Sequence, residues 1–354
     1  MSEREADLDL LVLVVSFAVI LTGAELFTNG IEWFGHKLEL AEGAIGSVLA
    51  AVGTALPETM IPFIAIVFGG GVAASEVGIG AILGAPFMLS TLAMFVTGAA
   101  VLIMRKRRVN REDVVVDTGV LGHDMAYFAV AYAIAVGVAL LPADLLLPRQ
   151  LTAIVLLGIY AWYVIGHLRA EAAAEAELAP LRFHRLDRTA PSHLTQPRLR
   201  IVSAQVIVAL ACIVGGAWGF VNGVQDLSRS LGLNGTLLAL IIAPIATELP
   251  EKLNSVIWVR QGKDTLAMGN ITGAMVFQSA IPTSIGLVFA PQIWSASGAG
   301  VAFSSALITF GSSGAIILPM LIRKRLDGRA LLVGGIFYLV YLGIVISALS
   351  GSHA

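Results

Sequence analysis

Charge is scarce in this sequence: only 13% of its 354 residues are Asp, Glu, Lys or Arg, whereas 57% are hydrophobic. A water-soluble globule carries about a quarter charged residues, so this composition excludes one. The formal net charge is only -2 and no basic cluster is interleaved with aromatic residues, so nucleic acid is not an expected partner. The single cysteine, Cys212, lies in an apolar run and excludes a disulfide framework. The solvent of this chain is therefore predicted to be lipid.

Long apolar runs are abundant instead. A helix needs about 20 apolar residues to cross the hydrocarbon of a bilayer, and the sequence contains ten such runs. We predict membrane spans near residues 9–34, 41–69, 77–104, 121–141, 150–168, 200–224, 233–259, 266–290, 299–322 and 330–349. The expected fold class is therefore an all-α, multi-pass integral membrane protein with ten transmembrane helices.

Basic residues collect in the loops that follow odd-numbered spans. The largest group is RKRRVNR at 105–111, and the loops after even-numbered spans carry almost no Lys or Arg. The positive-inside rule then places the basic loops in the cytoplasm and both termini outside it. We expect the protein in the cell membrane, with the bilayer as its partner and no obligate protein partner.

The one long hydrophilic segment, residues 169–199, divides the chain into halves of five spans, 1–168 and 200–354. The halves are similar, because Gly23–Glu58 and Gly216–Glu251 share 12 of 36 residues at a constant offset of 193. An odd number of spans separates the two copies, so one lies inverted relative to the other. Two inverted five-helix repeats joined by a cytoplasmic linker are typical of secondary transporters with a site at the membrane midplane.

Each half carries a glutamate directly after a proline within a predicted span, Glu58 in the second span and Glu251 in the seventh. A charged carboxylate in hydrocarbon costs about 2.5–3.5 kcal/mol or more unless it is paired or solvated, so such residues are functional candidates. Each proline frees backbone carbonyls of the preceding turn, and carboxylate and carbonyl oxygens are the ligands that hard cations prefer. The pair predicts a cation site. The alternative is two protonated glutamates that brace kinked helices.

These patterns resemble the sodium/calcium exchanger (cation/Ca2+ antiporter) superfamily, whose inverted repeats carry GTSLPE and GNxxGSN motifs. The first motif reads GTALPE ending at Glu58 and ATELPE ending at Glu251. The resemblance implies that these glutamates are the central ligands shared by calcium and sodium, and that Thr54 and Thr247 give oxygens to sodium sites. Ca2+ and Na+ are then transported substrates, and no cofactor and no catalytic residue are expected.

The second motif departs from the family pattern. Residues other than the family's Asn and Ser stand at Ala81, Ala85, Pro86, Ala274 and Met275. Leu89 and Gln278 occupy positions where many relatives carry Asn and an acidic residue, so one carboxylate is lost. Glu248 replaces a small hydroxyl residue three positions before Glu251, on the same helix face, and we expect it to restore the charge as a metal ligand beside Gln278. The alternative for Glu248 is an outward-facing or bundle-bracing role.

The expected function is secondary active antiport, sodium for calcium, by alternating access at the midplane glutamate site. A proton-coupled or monovalent cation exchanger would use the same glutamates, and a cation channel is a further alternative. An enzyme is not expected, since the sequence has no HExxH and no histidine in a matching context beside GSSG at 311–314. His123 and Asp124, at the mouth of the fourth span, are interpreted as an interfacial pair.

Overall fold

The computed structural model describes residues 3–37, 58–170, 180–186, 197–231, 239–242, 255–297 and 300–351. Helices dominate this described part. Its long helices are α1 (Glu3–Lys37), α2 (Glu58–Phe68), α3 (Val72–Met104), α4 (Thr118–Ala139), α5 (Leu146–Ala170), α6 (Leu199–Leu231), α7 (Asp264–Phe289), α8 (Ser304–Arg323) and α9 (Gly328–Gly351). Two short strands, β1 (Asp113–Val114) and β2 (Leu326–Asp327), pair antiparallel.

Among the described residues, eight helices are long and apolar enough to cross a membrane, namely α1 and α3 to α9. They coincide with eight of the ten predicted spans, and their ends differ from the predicted ends by at most seven residues. The chain is therefore an all-α, multi-pass integral membrane protein. The second predicted span is described only from Glu58 onward, as α2, and residues 233–238 and 243–254 of the seventh lie outside the described residues.

Helices α1 and α6 pack antiparallel through glycines. A Cβ atom on Gly23 would lie 2.9 Å from Ile213 Cγ1, and one on Gly216 would lie 2.7 Å from Ile20 Cγ1. Two helices approach this closely only where the side chains are small. The two contacts are equivalent under the sequence offset of 193, which carries Ile20 onto Ile213 and Gly23 onto Gly216.

A second pair of contacts between α1 and α6 follows the same offset. A Cβ on Gly223 would lie 2.9 Å from Leu13 Cγ, and one on Gly30 would lie 2.9 Å from Val206 Cγ2. Here the offset carries Leu13 onto Val206 and Gly30 onto Gly223. Because each contact reappears with its partners exchanged, the α1–α6 pair has approximate twofold symmetry.

The two helices that carry the glycine-rich second motif, α3 and α7, pack against helices of the opposite half of the chain. Helix α3 contacts α8 and α9, whereas α7 contacts α4 and α5. The Ser312 hydroxyl of α8 donates to the Ser90 carbonyl of α3 at 2.6 Å. On the other side, the Ser284 hydroxyl of α7 donates to the Ala153 carbonyl of α5 at 3.2 Å. The two halves are therefore interlocked.

The linker segment at residues 180–186 is bound to α1 and α6. The Asn29 side-chain oxygen accepts from the Arg182 backbone N–H at 2.9 Å and from Gln205 Nε2 at 3.0 Å. The Phe183 N–H donates to Gln205 Oε1 at 2.8 Å. Asn29 is one of the residues repeated between the halves, and here its amide attaches the linker to the helix pair.

The basic loops after the third, seventh and ninth predicted spans contact one another on one face of the molecule. Arg108 forms a bidentate ion pair with Asp264, with Nη1–Oδ1 at 2.8 Å and Nη2–Oδ2 at 2.6 Å. The two side chains are 2% and 0% exposed. Arg108 also donates to the Val259 carbonyl, and the Val115 N–H donates to Asp264 Oδ2 at 2.9 Å. The pair thus fixes the loop after α3 to the start of α7.

We predict that Arg108→Gln lowers the free energy of unfolding by about 3–5 kcal/mol, because it leaves the Asp264 carboxylate buried without its cation. Thermal and denaturant unfolding of the purified protein in detergent measure the change. Arg107→Gln, a neutralisation of the exposed neighbouring arginine, is the control and should change stability by less than about 0.5 kcal/mol. Equal stability of both variants would contradict a structural role for the Arg108–Asp264 pair.

Candidate functional site

Two of the predicted site residues, one from each half of the chain, meet inside the membrane-spanning bundle. Glu58 is 7% exposed at the start of the described part of α2, and Gln278 of α7 is fully buried. Gln278 Nε2 donates a hydrogen bond to Glu58 Oε2. The other four predicted site residues, Thr54, Thr247, Glu248 and Glu251, lie outside the described residues.

A proline shapes the backbone of α7 beside Gln278. Pro282 has no N–H to donate to the carbonyl of Gln278 four residues earlier, so this carbonyl lacks its usual helical partner. The Thr283 hydroxyl donates to it instead, at 2.9 Å. Gln278 therefore has a carbonyl without its helical donor and a polar side chain at the same level of the helix, which continues from Asp264 to Phe289.

The equivalent level of α3 is apolar. Pro86 interrupts this helix and is followed by a π-helical turn at Leu89–Ala93. Leu89 is fully buried in the main hydrophobic cluster. The Thr91 hydroxyl donates a hydrogen bond to the Phe87 carbonyl at 2.6 Å. At this level α3 offers hydrocarbon packing where α7 offers an amide.

The Glu58–Gln278 pair combines a carboxylate with an amide, two groups whose oxygens bind hard cations. In the arrangement described, the amide turns its NH2 group toward the carboxylate. Rotation of the amide by 180° about its last side-chain bond would turn its oxygen there instead, so the pair can alternate between a hydrogen bond and a pair of oxygen ligands. Within the described residues no group of three His, Cys, Asp or Glu side chains could hold a metal ion.

The interpretation of Asp124 as an interfacial residue is wrong. Asp124 is only 2% exposed, whereas the adjacent His123 is exposed. Its Oδ1 accepts from the Tyr163 hydroxyl of α5 at 3.1 Å, and its Oδ2 accepts from the Thr272 hydroxyl of α7 at 2.7 Å. Asp124 is thus a buried carboxylate that connects α4 to both α5 and α7.

The reason for this error is the start of α4. The helix begins at Thr118, three residues before the predicted span, because Asp117 caps it: Asp117 Oδ1 accepts from the backbone N–H of Gly119 at 2.8 Å and of Val120 at 3.1 Å. Asp is a preferred N-cap residue, so the sequence did contain the signal. The earlier start places Asp124 in the second turn, where its side chain faces α5 and α7.

Comparison with known proteins decides the family. The sequence profile described as sodium/calcium exchanger protein matches residues 8–168 and 202–350. The chain belongs to this family. Among curated proteins, it is 32% identical to CaxA, a candidate antiporter of Alkalimonas amylolytica, over 95 residues that make up 27% of the exchanger-family chain. The match spans 30% of the length of CaxA.

Solved structures share the fold of this exchanger-family chain. The crystal structure of the H+/Ca2+ exchanger CAX superposes with a TM-score of 0.66 at 17% sequence identity, and covers 98% of this chain and 88% of CAX. A structure of the sodium-calcium exchanger NCX_Mj gives a TM-score of 0.54 at 16% identity and covers 96% of this chain and 99% of NCX_Mj. Both likenesses show the fold of an integral membrane exchanger. The family is one of transporters rather than enzymes.

We predict that Asp124→Ala destabilises this exchanger-family protein by at least about 1–3 kcal/mol, because the buried hydroxyls of Tyr163 and Thr272 lose their acceptor. Thr272→Val, which removes only one of the two hydrogen bonds, should have a smaller effect. The unfolding midpoint in detergent reports both. A midpoint for Asp124→Ala equal to that of the unchanged protein would show that the carboxylate does not hold the three helices together.

Proposed function

We propose that this chain is a secondary active cation antiporter that exchanges sodium for calcium by alternating access. The observation that carries the proposal is the buried carboxylate of Glu58 in contact with Gln278, four residues before Pro282 of α7. A carboxylate at this depth is unfavourable unless it serves a bound ion or a proton. Membership of the exchanger family supplies the transport class.

We assign the cation site to six residues, each with an oxygen that a hard cation accepts. Glu58 and Glu251 are the central carboxylates, Glu248 supplies a further negative charge, and Thr54 and Thr247 supply hydroxyl oxygens for sodium. Gln278 contributes its amide oxygen after the rotation described above. The contact of Gln278 with Glu58 supports the grouping of residues from both halves at one site.

We further propose ten transmembrane helices in two inverted five-helix repeats, 1–168 and 200–354, joined by a cytoplasmic linker at 169–199. Two features support this arrangement. The contacts of α1 with α6 reappear with exchanged partners under the offset of 193. The packing of α3 on α8 and α9 is mirrored by that of α7 on α4 and α5. A twofold relation of this kind gives alternating access around a fixed central site.

The fold does not determine the coupling ion, because it is shared by CAX, an H+/Ca2+ exchanger, and by NCX_Mj, a sodium-calcium exchanger. Sodium is favoured by the threonines of the two proline motifs, Thr54 and Thr247. Proton coupling is the alternative, and it would use the same buried glutamates. The cell membrane is the proposed location.

We expect Glu58→Gln and Glu251→Gln each to reduce exchange by about 100-fold or more while leaving membrane insertion intact, because outer-shell partners of metal ligands are already worth about 10- to 100-fold. The purified protein in proteoliposomes is tested for calcium uptake driven by an outward sodium gradient and, separately, by a proton gradient. Glu76→Gln, in the first turns of α3, is the matched control and should leave uptake unchanged.

The same assay separates the alternatives. An exchanger requires a countertransported cation on the opposite side, whereas a channel conducts without one. If uptake responds to the proton gradient alone, the coupling ion is the proton rather than sodium. Near-normal uptake by Glu58→Gln would remove the site assignment altogether.

We also expect Glu248→Ser to weaken calcium transport by about tenfold or more, and Gln278→Asp added to it to restore much of the loss. The physical reason is that affinity for hard divalent ions follows the number of carboxylates that converge on the site. Calcium-dependent sodium flux at matched protein amounts measures the effect. A silent Glu248→Ser would mean that this side chain points away from the site and would favour a monovalent or proton-coupled exchanger.

A further inference from the structure

A cavity of about 930 Å³ lies on the face formed by the basic loops, outside the membrane spans. The loop after α3 and the turn between α8 and α9 form its wall, and the β1–β2 bridge joins these two segments. Its lining residues are Arg105, Lys106, Arg108, Val109, Asn110, Arg111, Glu112, Asp113 and Arg325. The lining is therefore almost entirely polar and predominantly basic.

Most of the lining charges are neutralised by fixed partners. Arg105 pairs with Glu112 at 2.8 Å, Arg325 pairs with Asp113 at 2.5 Å, and Arg108 pairs with Asp264 behind the wall. Within the part of the chain that the structure describes, Lys106 and Arg111 have no ion-pair partner. Both are exposed, so the cavity carries an excess positive charge that is available to a ligand.

The backbone of the cavity wall is constrained at Arg111. Arg111 and Lys324 have φ angles of 51°, and they are the positive-φ residues other than glycine in the described part of the chain. Non-glycine residues persist in this strained region only where the surroundings fix them, often at binding sites. The Arg111 carbonyl accepts from Arg108 Nε at 3.2 Å, which ties the strained residue to the buried ion pair. The backbone that carries Arg111 is thus anchored to the buried Arg108–Asp264 pair.

One exposed apolar residue, Val109, lines the basic cavity, and two exposed isoleucines end the helices that lead into its wall. Val109, in the wall itself, is 98% exposed, and Ile103 and Ile322, in the last turns of α3 and α8, are 80% and 82% exposed. Exposed isoleucines at the ends of membrane spans mark the boundary with the acyl chains. A ligand in the cavity therefore has a phosphate-compatible basic surface on one side and hydrocarbon beside it.

We propose that this cavity binds the phosphate headgroup of an anionic phospholipid of the adjacent leaflet, with Lys106 and Arg111 as the contacting cations. Guanidinium and ammonium groups are the usual partners of phosphate oxygens, and an open polar cavity beside span ends admits a headgroup without removing its acyl chains from the bilayer. Val109 lies against the glycerol region of the same lipid. The site is separate from the Glu58–Gln278 pair and does not rest on the transport function.

Native mass spectrometry of the purified protein in detergent tests the proposal, with phosphatidylglycerol or phosphatidylcholine titrated into the micelles. Retention of phosphatidylglycerol should exceed that of phosphatidylcholine in the unchanged protein. Lys106→Gln with Arg111→Gln should weaken phosphatidylglycerol binding by roughly fivefold for each positive charge removed. Raising the salt concentration of the buffer before analysis should weaken it too.

The matched control is Arg260→Gln with Lys263→Gln, which removes the same charge from exposed residues of the same face outside the cavity. This control should retain phosphatidylglycerol as the unchanged protein does. An equal loss of phosphatidylglycerol binding in both double variants would show that general surface charge holds the lipid, and it would overturn the proposed site. If millimolar inorganic phosphate displaces the lipid, or if phosphate binds while neither phospholipid is preferred, the cavity is a site for free phosphate and the lipid proposal is overturned.

Discussion

The absence of water from the bilayer core is the constraint on which the structure depends. Every backbone N–H and C=O within the hydrocarbon must find a partner inside the protein, and a proline in a spanning helix removes one donor. At Pro282 the Gln278 carbonyl is satisfied by the Thr283 hydroxyl one position beyond the proline. The side chain of the same glutamine donates a hydrogen bond to Glu58. The unpaired carbonyl and the polar side-chain contact therefore belong to the same residue, four positions before the proline.

The same constraint explains how the helices attach to one another. In lipid there is no hydrophobic driving force between helices, so association rests on close packing of small residues and on buried hydrogen bonds. The α1–α6 pair uses glycines, whereas α4, α5 and α7 meet at the Asp124 carboxylate. Outside the hydrocarbon, the Arg108–Asp264 ion pair connects the loop after α3 to α7. The polar connections thus join elements that are far apart in sequence.

Hydropathy predicted the existence of the spans well, because about 20 apolar residues are needed whatever the tertiary contacts are. The position of Glu58 within a predicted span placed it near mid-membrane; the structure buries its side chain at 7% exposure, and its depth in the membrane stays a prediction. Sequence could group Gln278 with Glu58 only through a family resemblance, since the two are 220 positions apart and no local pattern specifies their contact. Asp124 was misplaced because one helical turn, set by the Asp117 cap, decides whether a residue near a span end faces headgroups or neighbouring helices.

The chemistry of the two halves is less symmetric than their backbones. Both α3 and α7 contain a proline and pack on the last two long helices of the opposite half, yet one presents Leu89 where the other presents Gln278. A leucine in the main core needs no partner and fixes its helix by packing, whereas a buried amide must be hydrogen-bonded in every conformation that the helix adopts. The Gln278 NH2 group meets it with the Glu58 carboxylate, and a cation bound after the proposed rotation would be held by the amide oxygen instead. Each arrangement uses a different atom of one amide, which Leu89 cannot supply, so at this level the polar contribution to the proposed site comes from α7 rather than from α3.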